Sequence, residues 1–169
     1  MRRVNVIGSG GAGKSHFSTR LSRATGLPVI HLDTLYWKPG WVESGQPEWT
    51  ETVARLCDAE RWVMDGNYGG TLDMRMAACD TVVFLDMPRW LCVLRVMKRY
   101  VQYRGRARPD MATGCPEQLS LAFLRWIWRY PRERRPKVLA LLDTLSAEQQ
   151  AVVLQSEADV DHFLETHRR

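Results

Sequence analysis

Short unbroken apolar runs recur along the chain at residues 3–7, 28–32, 61–64, 81–85 and 150–154. Each is bounded by glycine, proline or acidic residues, the pattern of strands buried on both faces. Between them the apolar spacing changes to three and four residues. That period predicts helices over 14–25, 48–60, 88–104, 117–130, 132–145 and 157–166. Phe17, Leu21 and Ala24 form the inner face of the first, and Gly26 is placed to cap its C-terminus. Pro88 suits the first turn of the long central helix, with Leu91, Leu94, Met97 and Val101 as its packing face. Asp86, just before Pro88, reads as a helix cap. Residues 33–47, rich in Gly, Pro and Trp, read as a loop, and so do the basic residues 105–116. Alternating strands and helices predict an α/β fold, a parallel sheet flanked by helices on both faces. No repeat, low-complexity tract or linker interrupts residues 1–169, which implies one domain with a basic insert over about 100–130.

Composition changes this picture in one respect. The 169 residues carry 24 Lys or Arg against 19 Asp or Glu, a formal charge of +5. Thirteen of the basic and three of the acidic residues fall within 89–137, a local net of +10, so the remainder is at −5. A concentrated basic stretch implies an anionic partner: a nucleotide, a nucleic acid, a phosphorylated substrate or a membrane surface. No run of apolar residues is long enough for a transmembrane helix, and the short run after Arg2 and Arg3 breaks into glycines, unlike a signal peptide. Cys57, Cys79, Cys92 and Cys115 are widely spaced, without a Cys-x-x-Cys pair, so reduced thiols in a cytoplasmic protein are expected.

The sharpest chemical signal is Gly8-Ser9-Gly10-Gly11-Ala12-Gly13-Lys14-Ser15, an ungapped G-x-x-x-x-G-K-[ST] between a predicted strand and a predicted helix. The glycines let successive backbone N–H groups point at phosphate oxygens, and the helix N-terminus adds partial positive charge. In such a loop Lys14 reaches the β- and γ-phosphates and Ser15 ligates Mg²⁺. His16 then lies beside the nucleotide.

Asp33 and Asp65 each end an apolar strand, where ligands of open α/β sheets bind. Asp65 is the candidate carboxylate for Mg²⁺ or its waters. Asp33 is the candidate to orient or deprotonate an acceptor hydroxyl. Gly69, Gly70 and Arg75 lie in a polar, glycine-rich stretch suited to close approach by an anionic acceptor, and Trp37 can stack on a ring. Arg95 and Arg99 share a helix face. With Arg104, Arg106 and Arg108 they can close over bound phosphates and exclude water.

Several of these stretches together resemble one family. They are the phosphate loop, His31-Leu-Asp33, Trp37-Lys-Pro-Gly-Trp41, Asp65-Gly-Asn-Tyr-Gly-Gly-Thr71, Phe84 to Trp90, and Arg104-Gly-Arg-Ala-Arg-Pro-Asp110 through Cys115-Pro116. In this order they look like the DNA topology modulation proteins, a group similar to adenylate kinase. The resemblance spans residues 3–137. It implies a P-loop NTPase with a five-stranded parallel sheet in the order 2-3-1-4-5 and a helical basic lid, as in nucleoside monophosphate kinases. It also implies that Arg95 lies against the adenine and Arg99 near phosphate. Those kinases carry Phe-Pro-Arg after their Asp-Gly, and this chain has Asn67-Tyr68-Gly69. The arginine that would hold an acceptor phosphate is therefore missing from its usual place. Either Arg75 substitutes, or the acceptor is another small molecule, as in shikimate-kinase-like relatives.

The expected activity is transfer of the ATP γ-phosphoryl group to a small-molecule or nucleotide acceptor, with ATP and Mg²⁺ bound. A monomer or a homodimer would serve. The alternative is a nucleotide-dependent DNA- or RNA-binding regulator that turns the basic stretch toward a nucleic acid. No helix-turn-helix, zinc-finger or RNP signature accompanies it.

Overall fold

The structure is a computed structural model and describes residues 1–168. Strands β1 (Arg3–Gly8), β2 (Val29–His31), β5 (Trp62–Asp65), β6 (Thr81–Leu85) and β7 (Gln150–Leu154) form one sheet in the order β2-β5-β1-β6-β7. Every pairing within it is parallel. This is the expected 2-3-1-4-5 order, because two very short strands, β3 (Trp37–Lys38) and β4 (Val42–Glu43), pair only with each other. Val4, Val6, Val63, Val83 and Phe84 are fully buried, so the central strands are covered on both faces, as their unbroken apolar runs require.

Helices α1 (Lys14–Thr25), α3 (Gln46–Cys57), α5 (Arg89–Tyr103), α6 (Leu121–Glu133), α7 (Arg135–Leu142) and α8 (Glu157–Thr166) supply that cover, with short α2 (Leu32–Tyr36) and α4 (Leu72–Ala78) between strands. Helix α1 buries Phe17 and Leu21, and Gly26 caps it in the left-handed region, donating to Ser22 O. Two apolar clusters result. One joins α1, α8 and the central helices to one sheet face, and the other joins α3, α4 and α7 to the opposite face.

Local departures from the sequence pattern have identifiable causes. The segment 33–47 is not a plain loop. It contains the end of α2 and the β3–β4 hairpin, whose turn places Gly40 and Trp41 at positive φ. Helix α6 starts at Leu121 rather than residue 117, because Ser120 accepts from Phe123 N as its N-cap, while Glu117 points into the interior. Asp86 caps no helix; it accepts from Arg135 Nε at 3.0 and 2.9 Å and from Gln155 Nε2 at 2.8 Å.

Helix α5 is rotated relative to expectation. Cys92 and Val96 are its buried residues, whereas Leu94, Met97 and Val101 are exposed together with Trp90. The phosphate loop explains the rotation: a Cβ on Gly11 would lie 2.3 Å from Cys92 O and 2.9 Å from Val96 Cγ2. The loop thus sits directly on the Cys92–Val96 face, and the neighbouring Arg95 and Arg99 are carried into the cleft beside it. No helix among the described residues is long and apolar enough to cross a membrane.

Candidate functional site

At the carboxyl ends of β1, β2 and β5, a cleft of about 600 Å³ opens beneath α5, α6 and the segment between them. Its floor is the loop from Gly8 to Ser15, where Gly8, Gly11 and Gly13 all adopt positive φ. Lys14 Nζ lies back over the loop and donates to Gly8 O and Ser9 O, both at 3.0 Å. Burial lowers its pKa, with Asp33 and Asp65 opposing the shift. An incoming anion would strengthen the lysine's charge in the same way.

Asn67 fixes the start of the loop. Its Oδ1 accepts from Gly8 N at 3.2 Å and its Nδ2 donates to Gly8 O at 2.7 Å. This two-point contact was not legible from composition, because an Asn after Asp-Gly reads as turn chemistry.

Asp65, at the end of β5, is buried. One oxygen accepts from Ser15 Oγ at 3.3 Å, and the other contacts His31 Nδ1 at 2.6 Å. The Asp65 hydrogen bond raises the pKa of His31, and this contact across β2 and β5 holds the carboxylate in place. A hydroxyl and a carboxylate suit a hard cation such as Mg²⁺, which keeps several waters and takes few protein oxygens. Asp33 opens the neighbouring flank. Its Oδ1 accepts from Tyr68 OH at 2.5 Å, and burial raises its pKa.

The arginines divide. Arg95 donates to Ala12 O at 3.0 Å and pairs with Glu157. Arg99 Nε donates to Glu117 Oε1 at 2.8 Å. Arg108 lies against both Glu117 Oε2, at 2.7 Å, and Asp110 Oδ2, at 3.1 Å. Arg95, Arg99 and Arg108 border the cleft, and Glu117, only 6% exposed, joins two of them. Sequence reading missed Glu117; an acidic residue alone in a basic stretch was the available signal. Arg104 and Arg106 stay outside on the exposed surface.

Arg75 requires a correction. It is 0% exposed and donates to Asn5 Oδ1, Gly66 O, Asn67 O and Tyr68 O at 2.8–3.2 Å. Burial lowers its pKa to about 10. All four contacts are inside the protein, so Arg75 props the 66–68 segment and does not face the cleft. Gly69 and Gly70 begin the turn leading into α4 and likewise lie outside the lining.

Trp37 and Trp41 border the cleft, edge to face with centroids 5.2 Å apart. The hairpin that carries them is fastened to the segment after α5. Gly40 N donates to Gly114 O at 2.9 Å, Trp41 Nε1 to Pro116 O at 3.0 Å, and Cys115 Sγ to Lys38 O at 3.2 Å. Met111, Ala112 and Cys115 pack with both indoles, forming a roof whose Met111 and indoles line the cleft while Ala112 and Cys115 lie behind them. His16 is exposed at its rim, and Phe123 of α6 covers Gly10, whose Cβ would lie 2.4 Å from the ring.

No protein-family profile matches the chain. It is 29% identical over 133 residues to the uncharacterized protein YqaC of Bacillus subtilis (strain 168), covering 76% of this chain and 72% of that one. Among solved structures, it is similar in fold to the shikimate kinase from Bacteroides thetaiotaomicron, with 15% identity over 98% of this chain and 97% of that one and a TM-score of 0.57. The deoxyadenosine kinase from M. mycoides aligns at 14% identity over 96% and 95% of the two chains, with a TM-score of 0.53. A sugar kinase from Janibacter sp. HTCC2649 aligns at 17% identity over 98% and 91%, also with a TM-score of 0.53. At these identities the likeness is one of fold: this chain has the fold of the small P-loop kinases.

Proposed function

We propose that the protein is an ATP-dependent phosphotransferase acting on a small hydroxyl-bearing acceptor. The observation that carries this reading is the convergence on one cleft of Lys14, Ser15, Asp65 at the end of β5 and Asp33 in the first turn of α2. The triphosphate of ATP would lie on the loop from Gly8 to Ser15, with Lys14 leaving the two carbonyls it now holds to meet phosphate oxygens. Arg95 and Arg99 stand on the helix above, where they can neutralise charge on the transferring group. His16, beside Ser15, belongs to the nucleotide rim.

Ser15 and Asp65 are the residues that would hold Mg²⁺, which when bound offsets charge on the phosphoryl oxygens. The 2.6 Å contact with His31 keeps Asp65 aimed. Asp33 receives the acceptor hydroxyl. Tyr68 occupies one of its oxygens and leaves the other for the substrate. Its raised pKa makes it a stronger base than an exposed aspartate. As the acceptor oxygen bonds to the γ-phosphorus, the bond to the bridging oxygen breaks, the hydroxyl proton passes to Asp33, and ADP leaves. The roof over the cleft limits access by water, which would otherwise compete as acceptor. Trp37 and Arg108 bound the acceptor side.

The test is ADP release from ATP and Mg²⁺ across a panel of nucleosides, nucleoside monophosphates, sugars and hydroxy acids. A productive acceptor should raise ADP release well above the acceptor-free rate, and Lys14→Ala should lower it by about 10²–10³-fold. Acceptor-independent background with every compound, or wild-type turnover in Lys14→Ala, would refute the proposal.

A further inference from the structure

The charges around the acceptor end of the cleft are unequal in a way that speaks to the substrate. Arg108 is the cation on that side, and its side chain is only 9% exposed. Two carboxylates already hold it, Asp110 at 3.1 Å and Glu117 at 2.7 Å. Arg99 is engaged by the other oxygen of Glu117. Two arginines and two carboxylates therefore form one chain, Arg99–Glu117–Arg108–Asp110, whose formal charges cancel. Beyond it stands Asp33, whose hydrogen-bond partner among the described residues is the neutral Tyr68 hydroxyl. Lys14 and Arg95 are directed at the phosphate loop. The acceptor end is thus neutral to negative despite the strongly basic sequence around it.

The walls at this end are aromatic. Trp37 and Trp41 meet at 70°, and Tyr68 is held against Tyr36 and Trp49 at centroid distances of 4.5 and 5.0 Å. Such faces take planar rings or the C–H face of a saturated ring. A phosphate or carboxylate here would lie near Asp33 and would have to displace carboxylates from Arg108.

We infer that the acceptor is an uncharged, hydroxyl-bearing ring compound, and that Asp110 and Glu117 turn away anionic acceptors by occupying Arg108. This inference rests on the phosphotransferase reading and deepens it. Discrimination of this kind works by leaving the wrong partner's charge uncompensated. Nucleosides and free sugars share the required chemistry, and separate arms of the test distinguish them.

The experiment uses matched pairs that differ by one anionic group: uridine and uridine monophosphate, adenosine and adenosine monophosphate, ribose and ribose 5-phosphate, glucose and glucuronate. Each is assayed for ADP release, and for a shift in melting temperature in the presence of a non-hydrolysable ATP analogue and Mg²⁺. The neutral member should have a kcat/KM at least about tenfold higher in any pair that is used. In Asp110→Asn, which releases Arg108 on one side, the ratio of anionic to neutral kcat/KM should rise about fivefold or more. Preference for the anionic members overturns the inference and leaves the kinase reading standing. So does an unchanged ratio in Asp110→Asn, which removes the assigned cause. If no compound is turned over or shifts the melting temperature, the inference falls. The kinase reading stands if another compound of the wider acceptor panel raises ADP release in a Lys14-dependent way, and falls with the inference if none does.

Discussion

Replacing Arg75 separates a structural prop from a substrate contact. Its guanidinium supplies hydrogen bonds to four acceptors at 2.8, 2.9, 3.1 and 3.2 Å, none of them a carboxylate. Arg75→Met keeps most of the length and apolar bulk but leaves the Asn5 amide oxygen and three backbone carbonyls without this donor. A buried unsatisfied acceptor costs ~1–3 kcal/mol, a gross loss of ~4–12 kcal/mol for four. Relief from burying an uncompensated guanidinium opposes this and brings the net to ~3–5 kcal/mol. That is a large share of the ~5–15 kcal/mol that holds a typical domain folded. At ~2–4 °C per kcal/mol for a chain of this size, the melting temperature should fall by ~6–20 °C. Thermal unfolding followed by far-UV circular dichroism measures it. Arg75→Lys, with three donors instead of five, should fall between. A shift under ~3 °C in Arg75→Met would refute the reasoning, since a substrate-binding arginine would raise KM and leave stability nearly unchanged.

Other expectations follow from the same geometry. Asp33 has a pKa raised by burial, so its ionisation opposes folding. Its favourable contribution is complete below the unfolded value near 3.8 and is lost as pH rises through the folded pKa. Asp33→Asn should therefore unfold at higher urea than wild type at pH 7, with the gap closing toward pH 4, while phosphotransfer falls by about 10²-fold. Gly11→Ala must place a methyl 2.3 Å from Cys92 O at φ +75°, and should lose about 2–5 kcal/mol in denaturant titration. Asn67→Ala removes both contacts to Gly8. It should weaken ATP binding, read by equilibrium titration, more than it lowers the melting temperature.

Much of this was visible in the amino-acid sequence, for reasons that differ by element. The five sheet strands were legible from their unbroken apolar runs, most fully for the central strands buried on both faces, while their order followed only from the family resemblance. The phosphate loop was legible because its glycines, Lys14 and Ser15 are required by backbone geometry and charge together. Helix α5 was misread because Trp90, Leu94, Met97 and Val101 form a better apolar stripe than Cys92 and Val96. Periodicity cannot register that a glycine backbone, rather than a side chain, is what packs there. Arg75 was assigned to the acceptor by its charge, since sequence does not reveal that four oxygens converge on it from β1 and the 66–68 segment. Glu117 was absorbed into a predicted helix although Ser120 holds the actual N-cap. The pairing of the 37–41 hairpin with residues 111–116 joins segments some seventy residues apart, and no local pattern encodes it.

That pairing gives the protein a built-in clock. Cys115 has no exposed surface and lies between the hairpin and the segment it fastens. A thiol reagent can reach it only when the roof lifts from the indoles. Cys57, Cys79 and Cys92 are buried in the two main clusters and await wider unfolding. With alkylation quenched at intervals and each cysteine resolved by mass spectrometry, the labelling rate at Cys115 counts the openings of the cleft. Slowing of that rate by a bound compound, relative to the other three, registers occupancy without any turnover.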